Sequence, residues 1–150
     1  YFKVDGALEP LPEIVAENQD PAVAKSLDLS GLGAHRISSR IYDLQSIEKL
    51  IVKNNKLERL SPDVADLKHL TSLDASHNRL KTLPDDFENL KKLSTLILSH
   101  NKIHWYPANV YKLSALTIVD ISHNELKKVP IEVGNMQLLK ATREWEVGIG

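Results

Sequence analysis

The sequence predicts a repeat protein, assembled from units of 23 residues rather than around one central core. The stretch 70–80 shows the unit most clearly and reads Leu-Thr-Ser-Leu-Asp-Ala-Ser-His-Asn-Arg-Leu. Its spacing of apolar residues around one asparagine returns every 23 residues, before and after it. Self-similarity at a fixed period of this length is the signature of a solenoid. We therefore number Leu70 as position 1 of a repeat and use that numbering throughout.

Five consecutive units agree with this pattern. The predicted repeats are 24–46, 47–69, 70–92, 93–115 and 116–138. Residues 1–23 are predicted to be an N-terminal cap, with a short helix between the prolines at 12 and 21, because no repeat can bury its own apolar face at an end. Residues 139–150 are predicted to start a C-terminal cap or a truncated sixth repeat. We therefore expect the chain to be part of a longer protein.

Each repeat is predicted to begin with a short strand. Position 4 is apolar in every unit, as is position 6, two residues later. This alternation is the period of a strand, so positions 4 and 6 point inward while positions 3, 5 and 7 point outward. A proline follows at position 15 or 16 in four of the units. Because proline fixes φ and lacks an N–H, no regular helix is predicted to begin before it.

Position 9 holds the asparagine, which we interpret as structural. An amide among apolar neighbours is costly unless it bonds to backbone groups of adjacent turns, and losing such a partner costs roughly 1–3 kcal/mol. The predicted ladder consists of Asn55, Asn78, Asn101 and Asn124. The first repeat places Leu32 there instead, and such divergence is normal at the end of a repeat array.

These residues resemble the leucine-rich repeat family, whose pattern L-x-x-L-x-L-x-x-N-x-L stands almost unaltered in the last four units. The 23-residue length and the prolines are similar to the cytosolic class of Ras-suppressor, scribble and erbin proteins. The resemblance implies an α/β fold, a right-handed leucine-rich repeat solenoid. It has one short parallel β-strand per repeat on the concave face and irregular or 3-10 turns on the convex face.

The composition limits the classes of partner and the cellular locations that we expect for this protein. The 150 residues are 42% hydrophobic and 26% charged, with a net charge of −1 and no cysteine, so we expect one domain without bulk attraction to nucleic acid or membrane. Extracellular relatives usually carry cysteine-rich caps. The absence of cysteine, of an N-glycosylation sequon and of a visible signal peptide therefore favours the cytoplasm, with the nucleus as an alternative. No cofactor is expected.

The outward positions of successive strands are the predicted partner-binding face. Position 5 alternates between aspartate and isoleucine, a mixed surface suited to a basic and apolar segment of another protein, while two lysines add positive charge at one end. The residues assigned to this face are Lys49, Ile51, Lys53, Asp74, His77, Ile97, His100, Asp120 and His123. A solvated sheet face without a partner is the alternative.

Three histidines at position 8 are predicted to stack on that face. Imidazole binds zinc and titrates near pH 6.5, which suggests a metal site or a pH-sensitive contact. Ser-His-Asn is also an ordinary filling of this repeat. We therefore expect no metal site, and we keep a modest pH dependence of partner binding as a hypothesis.

The segment His104-Trp105-Tyr106 departs most from its neighbours. Trp105 occupies an outward position where other repeats carry Arg, Thr or Lys, and exposed tryptophan is a frequent interface anchor. We predict Trp105 and His104 as partner contacts, with a tryptophan lying flat over a loop as the alternative. Tyr106 is predicted to be core, with its hydroxyl reaching the edge. Trp145 is assigned to cap packing.

The sequence predicts a binding protein and not an enzyme. It contains no Gly-rich phosphate loop, H-E-x-x-H motif, G-x-S-x-G motif or cysteine nucleophile. We interpret the chain as a cytoplasmic scaffold or adaptor in signalling, which binds another protein. The alternatives are the targeting arm of a larger enzyme, such as a nuclease, kinase, phosphatase or ubiquitin ligase, and a bacterial effector of the same fold.

Overall fold

The computed structural model describes residues 2–4, 7–9 and 25–128. The predicted cap helix, the packing of Trp145 and the C-terminal cap lie outside the described residues. Near the N-terminus, β1 (Phe2–Val4) and β2 (Ala7–Glu9) form an antiparallel pair in which Phe2 lies opposite Glu9. The sequence analysis did not predict this pair of strands.

The repeats form one five-stranded parallel sheet. Its strands are β3 (Ser26–Asp28), β4 (Lys49–Ile51), β5 (Ser72–Asp74), β6 (Thr95–Ile97) and β7 (Ile118–Asp120). They lie side by side in chain order. Each residue pairs with the one 23 positions later, as Leu50 does with Leu73. The predicted right-handed solenoid with one parallel strand per repeat is confirmed.

Main-chain pairing continues beyond these three-residue strands. The position 8 N–H of one repeat donates to the position 7 carbonyl of the next, as from Asn54 to Ser76, at 3.1 Å, and from His77 to Ser99, at 3.0 Å. Position 8 is therefore held in the same register as the strands, although its backbone is no longer extended.

A 3-10 turn follows each of the strands β3 to β6, also at intervals of 23 residues. The turns are Ser39–Asp43, Pro62–Asp66, Asp85–Asn89 and Ala108–Lys112. A proline stands at or directly before the start of the last three turns, as its fixed φ favours. In the first two turns the hydroxyl of the preceding serine, Ser38 or Ser61, accepts a hydrogen bond from the backbone.

The core is a continuous stack of apolar side chains between the sheet and the turns. Each turn contributes one fully buried residue from position 18, namely Ile41, Val64, Phe87 or Val110. Leucines fill most of the inward strand positions. Burial of a large apolar side chain contributes about 1.5–3 kcal/mol, so the stack stabilises every junction between neighbouring repeats.

The side chains of the asparagine ladder bond to backbone groups of the loop that follows each strand. The Asn78 Nδ2 donates to the carbonyls of Val52, Ala75 and Ser76 at 3.0–3.2 Å, while its Oδ1 accepts from the Leu57 N–H at 3.0 Å. Asn55, Asn101 and Asn124 bond in the same way to their own and the preceding repeat. The ladder therefore links successive repeats by hydrogen bonds to the main chain.

The first repeat shows why it needs no asparagine of its own. Leu32 stands at position 9 with 45% of its surface exposed. The loop around it is closed from the next repeat, because the Asn55 Oδ1 accepts from the N–H groups of Leu32 and Ala34 at 3.1 and 3.0 Å. An asparagine at position 9 serves the repeat before it.

Candidate partner-binding surface

The outward face of the sheet carries the residues that the sequence assigned to partner binding. Neighbouring strands are about 4.8 Å apart, so side chains at one repeat position form a row. Lys49 is exposed, and Ile51 and Ile97 are half-buried. Ile118 also lies on this face, at position 3, and is 40% exposed. The sequence assignment missed it, although isoleucine is unusual at a position filled by Ser, Lys or Thr in the other repeats.

Aspartates of this face have an internal role that was not predicted. The Asp74 Oδ1 accepts from the backbone N–H of Ser76 at 3.0 Å and from its hydroxyl at 2.6 Å. Asp120 and Asp28 do the same with the serines two residues later. The signal was the motif Asp-x-Ser, which occurs only in the repeats that have aspartate at position 5. These carboxylates thus secure the end of the strand.

Position 7 was predicted to point outward, yet its side chain is covered by neighbouring groups in two repeats. Ser76 and Ser99 are both buried, at 6% and 8% exposure. Beyond position 6 the chain leaves the strand and turns toward the asparagine, so strict alternation no longer applies. Lys53 occupies the same position and is half-buried.

The three histidines at position 8 form a parallel stack. His77 and His100 have ring centroids 4.2 Å apart with planes inclined by 10°, and His100 and His123 repeat this at 4.2 Å and 11°. All three have left-handed backbone with φ of 51–56°, as does Asn54. This conformation is uncommon outside glycine, with Asn and His among the residues enriched in it. Sequence periodicity does not reveal it.

Electrostatics within the stack disfavours protonation of the central ring. Partial desolvation lowers the pKa of His100 below its ordinary value, and the neighbouring His123 and His77 lower it further, against an opposing effect of Asp120. Across the described residues, no group of three or more His, Cys, Asp or Glu side chains has a geometry suited to holding a metal ion. Parallel rings point their nitrogens side by side, not at one centre.

Trp105 lies on the loop edge that follows the asparagine and is 61% exposed. The Lys127 ammonium sits 5.5 Å from the centroid of its ring, within cation–π range. Next to it, the His104 Nδ1 is 2.8 Å from the Lys102 carbonyl and its Nε2 is 3.0 Å from the Glu125 carboxylate. Both partners are acceptors, so both contacts are hydrogen bonds at once only when the imidazole carries two protons.

Tyr106 lies in the core, as predicted. Its hydroxyl was predicted to reach the edge of the repeat, but it is buried. The side chain is only 7% exposed and stacks on Tyr111 with ring centroids 5.0 Å apart. Burial, and secondarily Tyr111, raise the pKa of Tyr106 above its ordinary value. Its hydroxyl oxygen is buried without a hydrogen-bond partner in the part of the chain that the structure describes.

The assigned residues therefore fall into three neighbouring groups along each repeat. Lys49, Ile51, Asp74, Ile97 and Asp120 lie on the strands. The histidines of position 8 follow where the strands end, and His104 and Trp105 come later, on the loop edge.

Within the described ranges, no helix is long and apolar enough to cross a membrane.

A parallel sheet with one short strand per 23-residue unit, sealed by buried asparagines and backed by 3-10 turns, defines a leucine-rich repeat solenoid. In agreement, residues 41–103 match the family model described as Leucine rich repeat. Among curated proteins, none matches this sequence significantly.

Solved structures show the same fold. The functional domain of InlJ from Listeria monocytogenes has a TM-score of 0.64 at 25% identity, over 75% of this chain and 23% of that one. The BIR2 ectodomain from Arabidopsis thaliana has a TM-score of 0.60 at 26% identity, over 68% and 56%. A leucine-rich repeat protein of Leptospira interrogans has a TM-score of 0.63 at 23% identity, over 85% and 44%. The chain thus spans only part of each of these structures.

Proposed function

We propose that this solenoid is a protein–protein interaction module, a scaffold or adaptor that binds its partner on the concave sheet face. The observation that carries the proposal is the set of isoleucines on that face. Ile51 and Ile97 are half-buried and Ile118 is 40% exposed, so apolar side chains stand at outward positions where the core of the repeats does not cover them. Apolar anchors with polar neighbours are typical of non-obligate interfaces.

The sheet suits this task because it holds these side chains in fixed positions. Each strand is bonded to its neighbours and sealed by the asparagine ladder, so the face loses little backbone entropy on binding. Lys49 is exposed beside Ile51 and takes part in none of the ion pairs found among the described residues. It is available to an acidic or polar group of the partner. We propose binding without any reaction of its own for this module.

We also propose that the chain belongs to the cytosolic class of 23-residue repeats. The constant 23-residue register of the five strands supports this, as does the complete absence of cysteine from the sequence. The test is the distribution of a fluorescent fusion of the natural full-length protein. Secretion of the fusion from the cell would contradict the proposal.

The proposed interface is tested by comparing partners captured by the parent and by the variant Ile51→Asp/Ile97→Asp, using quantitative proximity labelling. The matched control is Asn89→Asp/Ala108→Asp, which adds the same charge at exposed positions of the 3-10 turns. Circular dichroism establishes that each variant is folded. We expect the first variant to lose partners that the control retains. Equal partner lists for the two variants would contradict binding on the concave face.

A further inference from the structure

The loop edge beside the concave face carries an excess of positive charge. It consists of repeat positions 10, 12 and 13, which directly follow the asparagine. Eight lysines and arginines occupy these positions, and all are exposed: Arg36, Lys56, Arg59, Arg79, Lys81, Lys102, Lys127 and Lys128. Only Glu58 and Glu125 are acidic there, in a chain whose net charge is −1. We call these positions the basic edge.

Backbone hydrogen bonds hold the central charges of the basic edge in a row. The N–H of Lys56 donates to the Ala34 carbonyl at 2.8 Å, and the N–H groups of Arg79 and Lys102 bond in the same way to the preceding repeat, at 2.8 and 2.9 Å. Successive charges are therefore about one strand spacing apart, ~4.8 Å. Within the described chain, no ion pair neutralises Lys56, Arg79 or Lys102.

An aromatic side chain stands in the same edge. Trp105 follows Lys102 by three residues and exposes 61% of its surface, with the Lys127 ammonium 5.5 Å from its ring. Tryptophan and arginine are the residues most enriched among interface hot spots. The row of cations attracts acidic groups, and the exposed indole beside it offers a surface for an apolar side chain of the same partner.

We propose that the basic edge binds an acidic, extended segment of a partner protein, with one apolar side chain of that segment packed on Trp105. The proposal rests on the proposed role of the solenoid as a protein-binding module, and it deepens that role by giving the partner's charge and a second contact surface. An extended chain advances ~3.3 Å per residue. A segment of about six residues therefore spans the edge of five repeats, and its carboxylates face Lys56, Arg79 and Lys102.

A short acidic protein segment fits this edge better than a longer polyanion. Glu125 ends the row at position 10, and Glu58 stands at position 12 beside it. A peptide accommodates both by placing polar residues opposite them. Exposed aspartates, including Asp63, Asp85 and Asp86, lie on the 3-10 turns. They repel a nucleic acid or an anionic membrane that extends beyond the edge, whereas a short segment stays within the field of the cations.

The test uses the 150-residue chain and a fluorescein-labelled peptide of glutamates interrupted by leucines. Fluorescence anisotropy measures the affinity of the chain for this peptide at two salt concentrations. We expect Arg79→Glu/Lys102→Glu to weaken binding by at least about tenfold, because like charges then oppose each other. Trp105→Ala is expected to weaken it by about tenfold, as for a moderate hot spot. The matched control, Lys91→Glu/Lys92→Glu, reverses two exposed charges outside the edge and should bind like the parent.

Three results would overturn the proposal: no binding of the peptide, equal binding by the edge variant and the control, or tighter binding of an oligothymidylate or of anionic vesicles of matched charge. Arg79→Gln/Lys102→Gln serves as the second variant if charge reversal prevents folding. The variant Ile51→Asp/Ile97→Asp separates the two proposals. If it keeps every cellular partner while the edge variant loses the peptide, the concave-face proposal fails and the basic-edge proposal stands.

Discussion

Replacing Asn78 with alanine tests whether the asparagine ladder links the repeats energetically. The change removes three donated bonds, to Val52, Ala75 and Ser76, and the acceptor for the Leu57 N–H. The losses are unequal. The Val52 and Ala75 carbonyls keep a bond from the asparagine of a neighbouring repeat, and the Ser76 carbonyl keeps the Asn54 N–H. The Leu57 N–H has no second acceptor among the described residues.

The expected loss of stability follows from these hydrogen bonds. A buried N–H left without an acceptor costs about 1–3 kcal/mol, and each hydrogen bond lost from a carbonyl that keeps another partner costs about 0.5–1 kcal/mol. We therefore expect Asn78→Ala to reduce the free energy of unfolding by about 2.5–6 kcal/mol. Domains of this size are stable by only about 5–15 kcal/mol, so this is a large fraction of the total.

Urea unfolding, monitored by circular dichroism, measures the change in the free energy of unfolding. Hydrogen exchange shows which repeats are destabilised. Asn78→Asp keeps an acceptor for Leu57 but turns carboxylate oxygens toward carbonyls, so it should be at least as destabilising as alanine. Asn89→Ala, at an exposed position, should change stability by less than about 0.5 kcal/mol. A loss below about 1 kcal/mol for Asn78→Ala, or increased exchange spread evenly over all repeats, would refute the reasoning.

Three further predictions concern features that sequence patterns did not reveal. Ser76→Ala should cost about 1–2 kcal/mol more in urea unfolding than Ser99→Ala, because only Ser76 bonds to an aspartate carboxylate; equal costs would contradict this role of Asp74. Tyr106→Phe should raise the melting temperature, since it removes a buried hydroxyl without a partner, and a lower melting temperature would indicate a hidden bond. The pKa of His100 lies below 6.5 in the folded chain, so the unfolded chain binds more protons between the two values. The resulting stabilisation is fully present above pH 6.5 and is lost as pH falls through the folded pKa. An NMR titration of His100 with a midpoint above 6.5 would contradict it.

The architecture was predictable because the 23-residue period fixes both the strand positions and their register. Apolar residues at positions 4 and 6 define the inward face. In the described repeats, a proline stands at or directly before the start of a 3-10 turn at Pro62, Pro84 and Pro107. The exposure of Trp105 also follows from its position in the repeat. Its role in partner binding stays a prediction, as do the roles of the other residues assigned to the face.

What sequence periodicity missed depends on local backbone geometry. The left-handed conformation of His77 and Asn54 leaves no trace in a hydrophobic pattern, because both residues are polar and tolerate it. Ser76 is buried because the chain turns at the end of the strand, where alternation of inward and outward side chains ceases. The internal bonds of Asp74 made an apparent binding residue partly structural. Substituting Asp74 therefore tests folding as well as binding, which is why our interface variants leave it unchanged.

The side-chain oxygens of the asparagine ladder accept hydrogen bonds from the preceding repeat, which has a consequence for synthesis on the ribosome. Each asparagine satisfies a loop of the repeat made before it, as Asn55 does for Leu32 and Asn101 does for Leu80. A newly made repeat therefore exposes unsatisfied backbone groups until the first strand and loop of the next repeat have emerged. We therefore expect folding to proceed in the order of translation, one repeat behind the growing chain, with the last repeat made still lacking the asparagine that bonds to its loop.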